Sequence, residues 1–269
     1  MQFLSPDWPD APANVGALST LRSGGVSSAP YGDGSSGKSG GGLNLGTHVG
    51  DLVESVRHNR ALLQAALPGR PAWLLQVHGA HVIDADAYAD QFVDQDVGAS
   101  VPVADASFAK ARGVVCAILS ADCLPVLLCD AEGGVVACAH AGWRGLAGGV
   151  LSRTVAAMRA SGAGEILAWL GPAIGPHQFE VGGDVLRAFI EGAVDNAGRS
   201  AIAAAFVPLP AHPGKYLADI YALARCALAR EGVYNVAGGE FCTVSEPLRF
   251  YSYRRDGITG RQASLIWRK

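Results

Sequence analysis

Three short segments carry side chains able to do chemistry. His78 lies in Gln76-Val-His-Gly-Ala-His81, Cys123 in Ala121-Asp-Cys-Leu-Pro125 and His140 in Ala139-His-Ala-Gly-Trp-Arg-Gly145. Each reactive group sits at the end of an apolar, strand-like run and beside small residues, where a rigid sheet carries a loop able to form a site. Two imidazoles and one thiolate suit zinc, and suit copper as well. Three protein ligands leave a coordination position open for water or substrate, the catalytic pattern, whereas structural zinc sites close with four. Zinc would bring the pKa of its bound water to ~7. The spacing alone leaves two other readings open. One is a buried thiol with two histidines satisfied by ordinary hydrogen bonds. The other is a Cys–His pair in which the thiolate attacks and a histidine is the base.

The elements that must position these groups are legible as hydrophobic patterns. Trp73 to Val77, His81 to Asp84, Val114 to Leu119, Pro125 to Cys129 and Val135 to Ala139 are short apolar runs. Runs without alternation predict strands covered on both faces. Gly16 to Leu21 and Glu165 to Leu170 predict further strands, and Phe250 to Tyr253 and Ser264 to Trp267 two closing ones. Asp51 with Glu54 three residues later reads as a capping box opening a helix, with Val53, Val56, Leu63 and Leu67 on its apolar face. His58 on that helix is expected in solvent. Helices are also predicted over Leu146 to Met158, Asp184 to Val194 and Tyr216 to Arg230. The pattern is that of a mixed α and β protein with its strands clustered in the middle.

Residues 32–42 read GDGSSGKSGGG. They fit both GxxxxGK[ST] and GxGxxG, but those motifs work between a buried strand and a helix whose N-terminus holds phosphate. Ser28-Ala-Pro-Tyr31 makes a poor strand, and three glycines at 40–42 open a helix badly. The segment reads as a flexible loop insertion.

Composition narrows the remaining classes. Of 269 residues, 49% are hydrophobic and 17% charged, which is globular. We expect one domain over 1–269, since no proline-rich or charged linker divides the apolar segments. The net charge is −3 and no basic block is present, so no nucleic-acid footprint is expected; Tyr253-Arg254-Arg255 is too short for one. No apolar run has the ~18 residues of a membrane span, and the N-terminus has no signal-peptide pattern. A cytoplasmic protein with six reduced cysteines is the expectation, with Cys116, Cys129 and Cys138 as ordinary core side chains. No exposed apolar heptad is visible, and a monomer is expected.

At the chemical segments the sequence resembles the YfiH family, known also as multicopper polyphenol oxidoreductase or laccase-like proteins and as purine nucleoside phosphorylases, to which the peptidoglycan editing factor belongs. The matching stretches include Arg22-Ser-Gly-Gly-Val-Ser27, Leu43-Asn-Leu-Gly-Thr-His-Val-Gly-Asp51, Gln76-Val-His-Gly79, Ala121-Asp-Cys-Leu-Pro125 and His140-Ala-Gly-Trp-Arg-Gly145. Others are Trp169-Leu-Gly-Pro-Ala-Ile-Gly175, Phe179-Glu-Val-Gly182, Cys242-Thr243 and Ser252-Tyr-Arg-Arg-Asp-Gly257. The resemblance covers nearly the whole chain, in order; the insertion at 32–42 departs from it without removing a ligand. It implies an α+β fold of two mixed β-sheets flanked by helices (αββα). It also implies a zinc site on His78, Cys123 and His140, phosphorolysis of adenosine, inosine and S-methyl-5′-thioadenosine, and deamination of adenosine.

Phosphorolysis needs positive charge and backbone N–H groups for phosphate. A helix beginning after Gly145 would offer its positive end beside His140, and Arg144 and Arg22 are candidates to grip the anion. Asn44, His48 and Gln76 are candidates to orient the ribose or base. Asp122 is a candidate partner fixing a ligand histidine's tautomer. Cys242 could line the pocket or simply be a core thiol. His81 and His177 are expected to be dispensable. Three other activities compete: a Cys–His hydrolase or amidase acting on a peptidoglycan precursor, a copper-dependent polyphenol oxidase, and a binding module without catalysis. Seven scattered histidines argue against several clustered coppers.

Overall fold

The computed structural model describes residues 2–35, 41–89, 101–193 and 195–269. Two mixed sheets carry the site. The first orders its strands Phe3–Leu4, Val15–Thr20, Gln262–Arg268, Val115–Ser120 and Pro71–Ala72. The second orders them Val236–Gly238, Ile166–Leu170, Leu124–Asp130, Val136–Ala141, Ala106–Ala109 and Val82–Asp84. Pairing is antiparallel except at three positions, where Pro71–Ala72 joins Val115–Ser120, Val236–Gly238 joins Ile166–Leu170, and Val82–Asp84 joins Ala106–Ala109. A small third sheet joins Glu180–Gly182, Lys215–Ala218 and Phe206–Pro208.

The unbroken apolar runs are explained by which way alternate side chains point. Leu127, Cys129, Val136, Cys138, Leu167 and Trp169 face Cys116, Ile118 and Ile266 of the other sheet and form one core between the sheets. From the same strands, Val126, Leu128, Ala137 and Ala139 face outward onto Val150, Leu151, Val155, Met158, Leu223 and Leu228. These last belong to the helices Val150–Ala160 and Ile220–Arg230. On the far side of the first sheet, Val115, Ala117, Leu119 and Leu265 meet Leu43, Leu45 and Leu63. Leu63 lies in the helix Val53–Gln64. The order of layers is therefore helix, sheet, sheet, helix. Cys116, Cys129 and Cys138 are fully buried, and all six cysteines are free thiols.

Several local expectations are corrected. The helix Val53–Gln64 has no side-chain cap, and Leu52 stands at its start. Asp51 instead accepts from the Leu52 amide, the Ser27 hydroxyl and the Asn44 amide, while Glu54 pairs with Arg57. Donors that are already sheltered hold the carboxylate away from the helix end. Tyr216 to Arg230 is not one helix: Lys215–Ala218 is a strand, and Ile220–Arg230 starts where Asp219 accepts from the Tyr221 and Ala222 amides. Phe250 to Tyr253 is not a closing strand. Ser252 caps a helical turn, Tyr253–Asp256, by accepting from the Arg255 amide. Leu146 to Met158 is split into Trp143–Ala147 and Val150–Ala160 at Gly148-Gly149, and Gly149 has φ +85°. Trp73 to Val77 forms no strand, though Leu75 makes a single bridge to Val103. The helix Asn196–Ala204 and the third sheet were not anticipated from sequence.

Part of the insertion at 32–42, namely residues 36–40, lies outside the described residues. Gly41 and Gly42 lead into no helix. The Gly41 carbonyl accepts from Gly24 and Gly25, and Gly42 bridges Ser23 and Ser27. Any Cβ at Gly42 would lie 1.8 Å from the Tyr31 carbonyl oxygen, so glycine is obligatory there. Asn59 fastens this segment to the helix. Its amide donates to the Ser27 hydroxyl and to the Gly42 and Asn44 carbonyls, and its Oδ1 accepts from the Val26 amide. All four polar contacts are made by a fully buried side chain. Removing it strands several buried groups, each costing roughly 1–3 kcal/mol. Asn59→Ala is expected to lose about 3 kcal/mol of unfolding free energy in urea titration; a loss of only a few tenths would show that the segment is held elsewhere.

Candidate metal centre

The chain crosses from the first sheet to the second through Ala121, Asp122 and Cys123, between strands Val115–Ser120 and Leu124–Asp130. Cys123 thus stands at the junction of the two sheets. His140 lies in the neighbouring strand Val136–Ala141, paired with Pro125, two residues from Cys123. His78 comes from the loop before Val82–Asp84. Asp122 and His78 are the only described non-glycine residues with positive φ, at 97° and 60°. Left-handed backbone on both sides of one cluster is strain that the surrounding contacts must hold.

Those contacts are visible. Asp105, fully buried, accepts from the Val77, His78 and Gly79 amides at 3.2, 2.9 and 2.7 Å, which fixes the turn carrying His78. The same carboxylate bonds His140 Nδ1 at 2.9 Å, and its backbone carbonyl accepts from the His140 amide. Asp122 accepts from the Thr243 hydroxyl and the Arg254 amide, both at 2.6 Å. The carboxylate that bonds a histidine of the cluster is therefore Asp105, not Asp122. Sequence reading passed over it as an acidic residue between alanines. Its one signal was a charge in an otherwise apolar strand start.

The three side chains converge. Cys123 Sγ is 3.7 Å from His78 Nε2, the two imidazole centroids are 4.8 Å apart, and one ligand atom from each residue lies within 4.8 Å of the others. Around a tetrahedral zinc ion, sulfur and nitrogen ligands stand about 3.6 Å apart, so the set fits such an ion. With Nδ1 on the Asp105 carboxylate, His140 turns Nε2 toward the cluster, where it donates to the Cys123 thiolate and where, once that proton is lost, it would offer a lone pair to an ion. Gly142 keeps the cluster open: a Cβ there would lie 2.8 Å from Cys123 Sγ and 3.3 Å from a His78 ring carbon.

Electrostatics favours a thiolate. Burial opposes ionisation of Cys123, but the charge of His140 and hydrogen bonds from His140 and His78 outweigh it and bring the thiol down to about 6. Burial likewise opposes charge on His140. The Cys123 thiolate and Asp105 overcome this and raise the imidazole to about 9. Asp105 is held below the usual carboxylate range: burial opposes this, while His140 and the Gly79 amide prevail.

The other candidates fall into two groups. Arg22 is buried and spends its guanidinium on the Gly32 and Pro247 carbonyls. Asn44 is buried and engaged with Gly46, Asp51 and the Arg261 amide. Gln76 pairs with both backbone groups of Leu119. In these three the polar groups are engaged by the protein's own backbone and side chains. His48 and Arg144 are exposed, and Arg144 lies over the Trp143 ring at 4.3 Å. The helix beside His140 starts at Trp143, before Gly145, and spans only five residues. Cys242 accepts from the Gly175 amide through its sulfur. His58, His81 and His177 are exposed, and none of them joins the cluster.

Two measurements test this electrostatic picture. In chelator-treated protein, alkylation of Cys123 should rise with a midpoint near pH 6, because its thiolate persists above that value and is lost below it. A midpoint near the ordinary thiol value of about 8.5 would contradict the pairing with His140. Asp105→Asn should weaken metal binding on the order of 10–100-fold in chelator competition, and an unchanged affinity would remove Asp105 from that role.

Residues 16–269 match the family model described as multi-copper polyphenol oxidoreductase laccase. The chain is 51% identical over 265 residues to a purine nucleoside phosphorylase of Pseudomonas aeruginosa, covering 98% of each chain. It is 48% identical over 270 residues to purine nucleoside phosphorylase YfiH of Escherichia coli, covering 99% of this chain and 98% of that one. Among solved structures, Neisseria meningitidis protein NMB0706 superposes with a TM-score of 0.85 at 48% identity, with both chains covered in full at 100%. YlmD of Geobacillus stearothermophilus gives a TM-score of 0.85 at 32% identity, covering 100% of this chain and 97% of that one. With its fold, its order of motifs and its relatives in agreement, the chain belongs to the laccase-domain family that includes YfiH.

Proposed function

We propose that the protein is a zinc-dependent purine nucleoside phosphorylase acting on adenosine, inosine and S-methyl-5′-thioadenosine, with adenosine deaminase activity at the same centre. The observation that carries this reading is the convergence of His78, Cys123 and His140 under the control of Asp105. The names of the relatives supply the reaction class.

Cys123, His78 and His140 would hold the ion; when bound, it supplies a Lewis acid and a means of activating water near neutral pH. The chain's own residues do the rest. Asp105 keeps a proton on His140 Nδ1, so Nε2 stays available as a ligand. The same carboxylate fixes the His78 turn. Gly142 leaves room at the sulfur, and Gln76 ties the approach to His78 onto the first sheet. His48 and Arg144, both exposed, are the candidates for direct substrate contact; Arg22 and Asn44 hold neighbouring loop segments through internal hydrogen bonds. In phosphorolysis a phosphate oxygen bonds to C1′ as the C1′–N9 bond breaks; the base leaves with the electron pair and takes a proton. In deamination water adds at C6 of adenine and ammonia leaves.

A second reading draws on one specific observation. Cys123 and His78, 3.7 Å apart, with a thiol at about 6, also resemble a nucleophile and its partner. A Cys–His amidase acting on a peptidoglycan precursor would use them without metal. The copper oxidase suggested by the family's description would need several clustered ligand sets. Among the described residues there is one such group, formed by three residues.

Incubating the zinc-loaded protein with adenosine, with and without phosphate, separates these readings by chromatography. Adenine and ribose 1-phosphate are expected only with phosphate, and inosine without it. Cys123→Ala should lose tight metal binding and both products together; full turnover in that variant would dismiss the ligand set. Activity on a peptidoglycan precursor that survives chelation, with none on nucleosides, would transfer the assignment to the amidase.

A further inference from the structure

The phosphorylase reading requires a place for phosphate, and the arginines suggested by sequence are poorly placed to provide it. Arg22 has its donors on carbonyl groups, and Arg144 lies out on the Trp143 ring. A different arginine stands beside the cluster. In the first sheet Gln262 pairs with Ser120, so Arg261 leaves the strand end at the point where Ala121, Asp122 and Cys123 begin their crossing. Its backbone is locked to the segment 44–46: the Arg261 amide donates to Asn44 Oδ1, and the Leu45 amide donates to the Arg261 carbonyl. Its side-chain stem runs over Gly46, where a Cβ would lie 2.8 Å from Arg261 Cγ.

Arg60 approaches the same segment from the helix Val53–Gln64. It donates through Nε to the Leu45 carbonyl and stacks on Trp73 at 4.4 Å. His48 follows two residues after Gly46. Thus two guanidinium groups and an imidazole gather around one short segment. Arg261 uses Nη1 on the Thr259 and Gly260 carbonyls, and no described residue takes its Nε or Nη2. Neither Arg261 nor Arg60 has a carboxylate within ion-pair distance among the described residues. The nearby Asp122 carboxylate is already engaged by Thr243 and Arg254.

Uncompensated cations with restricted hydration are costly, and an anion offsets that cost. The charge environment agrees. Desolvation first, then the charges of Arg261 and Arg60, hold His48 below its ordinary value. Burial lowers Arg261, while Cys123 and Asp122 act on it in the opposite sense, as neighbours of the metal centre would.

We propose that Arg261, supported by Arg60 and His48, forms the subsite that takes inorganic phosphate beside the metal centre, and this rests on the phosphorylase reading above. Two donors of one guanidinium match two phosphate oxygens in the forked geometry that arginine favours. The arginine makes and breaks no bond. It holds the nucleophilic phosphate while a third oxygen attacks C1′ and the base departs with the bonding electrons. Gly46 sets its direction by leaving the stem a path.

The test is calorimetric binding of inorganic phosphate to the metal-loaded protein, beside KM values for phosphate and for nucleoside. R261Q should weaken phosphate binding at least about tenfold and raise the phosphate KM in step, with nucleoside KM within about twofold. R261K should fall between, since it keeps the charge and loses the fork. G46A removes no charge yet should also weaken phosphate, by displacing the stem. Metal content reports whether each variant has folded; should R261Q fail to fold, R261K and G46A carry the decision. Saturable phosphate binding that is absent from the wild type, or unchanged in the variants, overturns the subsite. Phosphorolysis with a normal phosphate KM in R261Q overturns it while leaving the phosphorylase reading intact. Phosphate bound through Arg261 without any phosphorolysis leaves the subsite and dismisses the reaction.

Discussion

The carboxylate of Asp105 is buried, carries charge, and is satisfied from four directions. Three successive amides of the His78 turn and one ring nitrogen of His140 all point at it. A carboxylate out of water is tolerated only when its hydrogen-bonding capacity is filled. That requirement couples two segments far apart in sequence. The His78 turn, with its left-handed φ, stays closed because opening it would strand a charge. His140 keeps one tautomer for the same reason. Two of the three clustered side chains therefore share a single anchor, and the third, Cys123, is fixed by the crossing between sheets.

The layering supplies the rigidity behind that anchor. Strands with apolar side chains on both faces are covered on one side by the opposite sheet and on the other by helices. Rigid strand ends hold loop side chains better than loops hold themselves. Cys123 and His140 are within a residue of a strand end, while His78 sits in a loop held by Asp105, and the small residues Gly79 and Gly142 let chain segments approach closely.

Much of this was legible because it rests on residue type and local pattern. Unbroken apolar runs announced most of the covered strands, and His78, Cys123 and His140 stood out as reactive groups beside small residues, although the strand expected before His78 is a loop. What escaped was set by contacts between distant segments. Asp51 looked like a helix cap, yet Ser27 and Asn44 compete for its carboxylate. Tyr216 and Leu217 shared an apolar period with the following helix, yet Asp219 marks its true start, and pairing with Glu180–Gly182 and Phe206–Pro208 makes them strand. Asp105 and Arg261 were invisible for the same reason. The His78 turn and His140 around Asp105, and Gly46 beneath Arg261, all lie far from them in sequence.

The position of Cys123 has a mechanical side. It lies where the chain passes from one sheet to the other, while His140 belongs wholly to the second sheet and Gln76, two residues before His78, is tied to Leu119 of the first. An ion gripped by all three would act as a rivet through the sandwich, and its grip and the spacing of the sheets would be one linked quantity. Anything that slides one sheet along the other, even a change of volume in the shared core of Cys116, Ile118, Leu127 and Trp169, would then be felt at the rivet. The interior of this fold would serve as the adjusting screw of its chemistry.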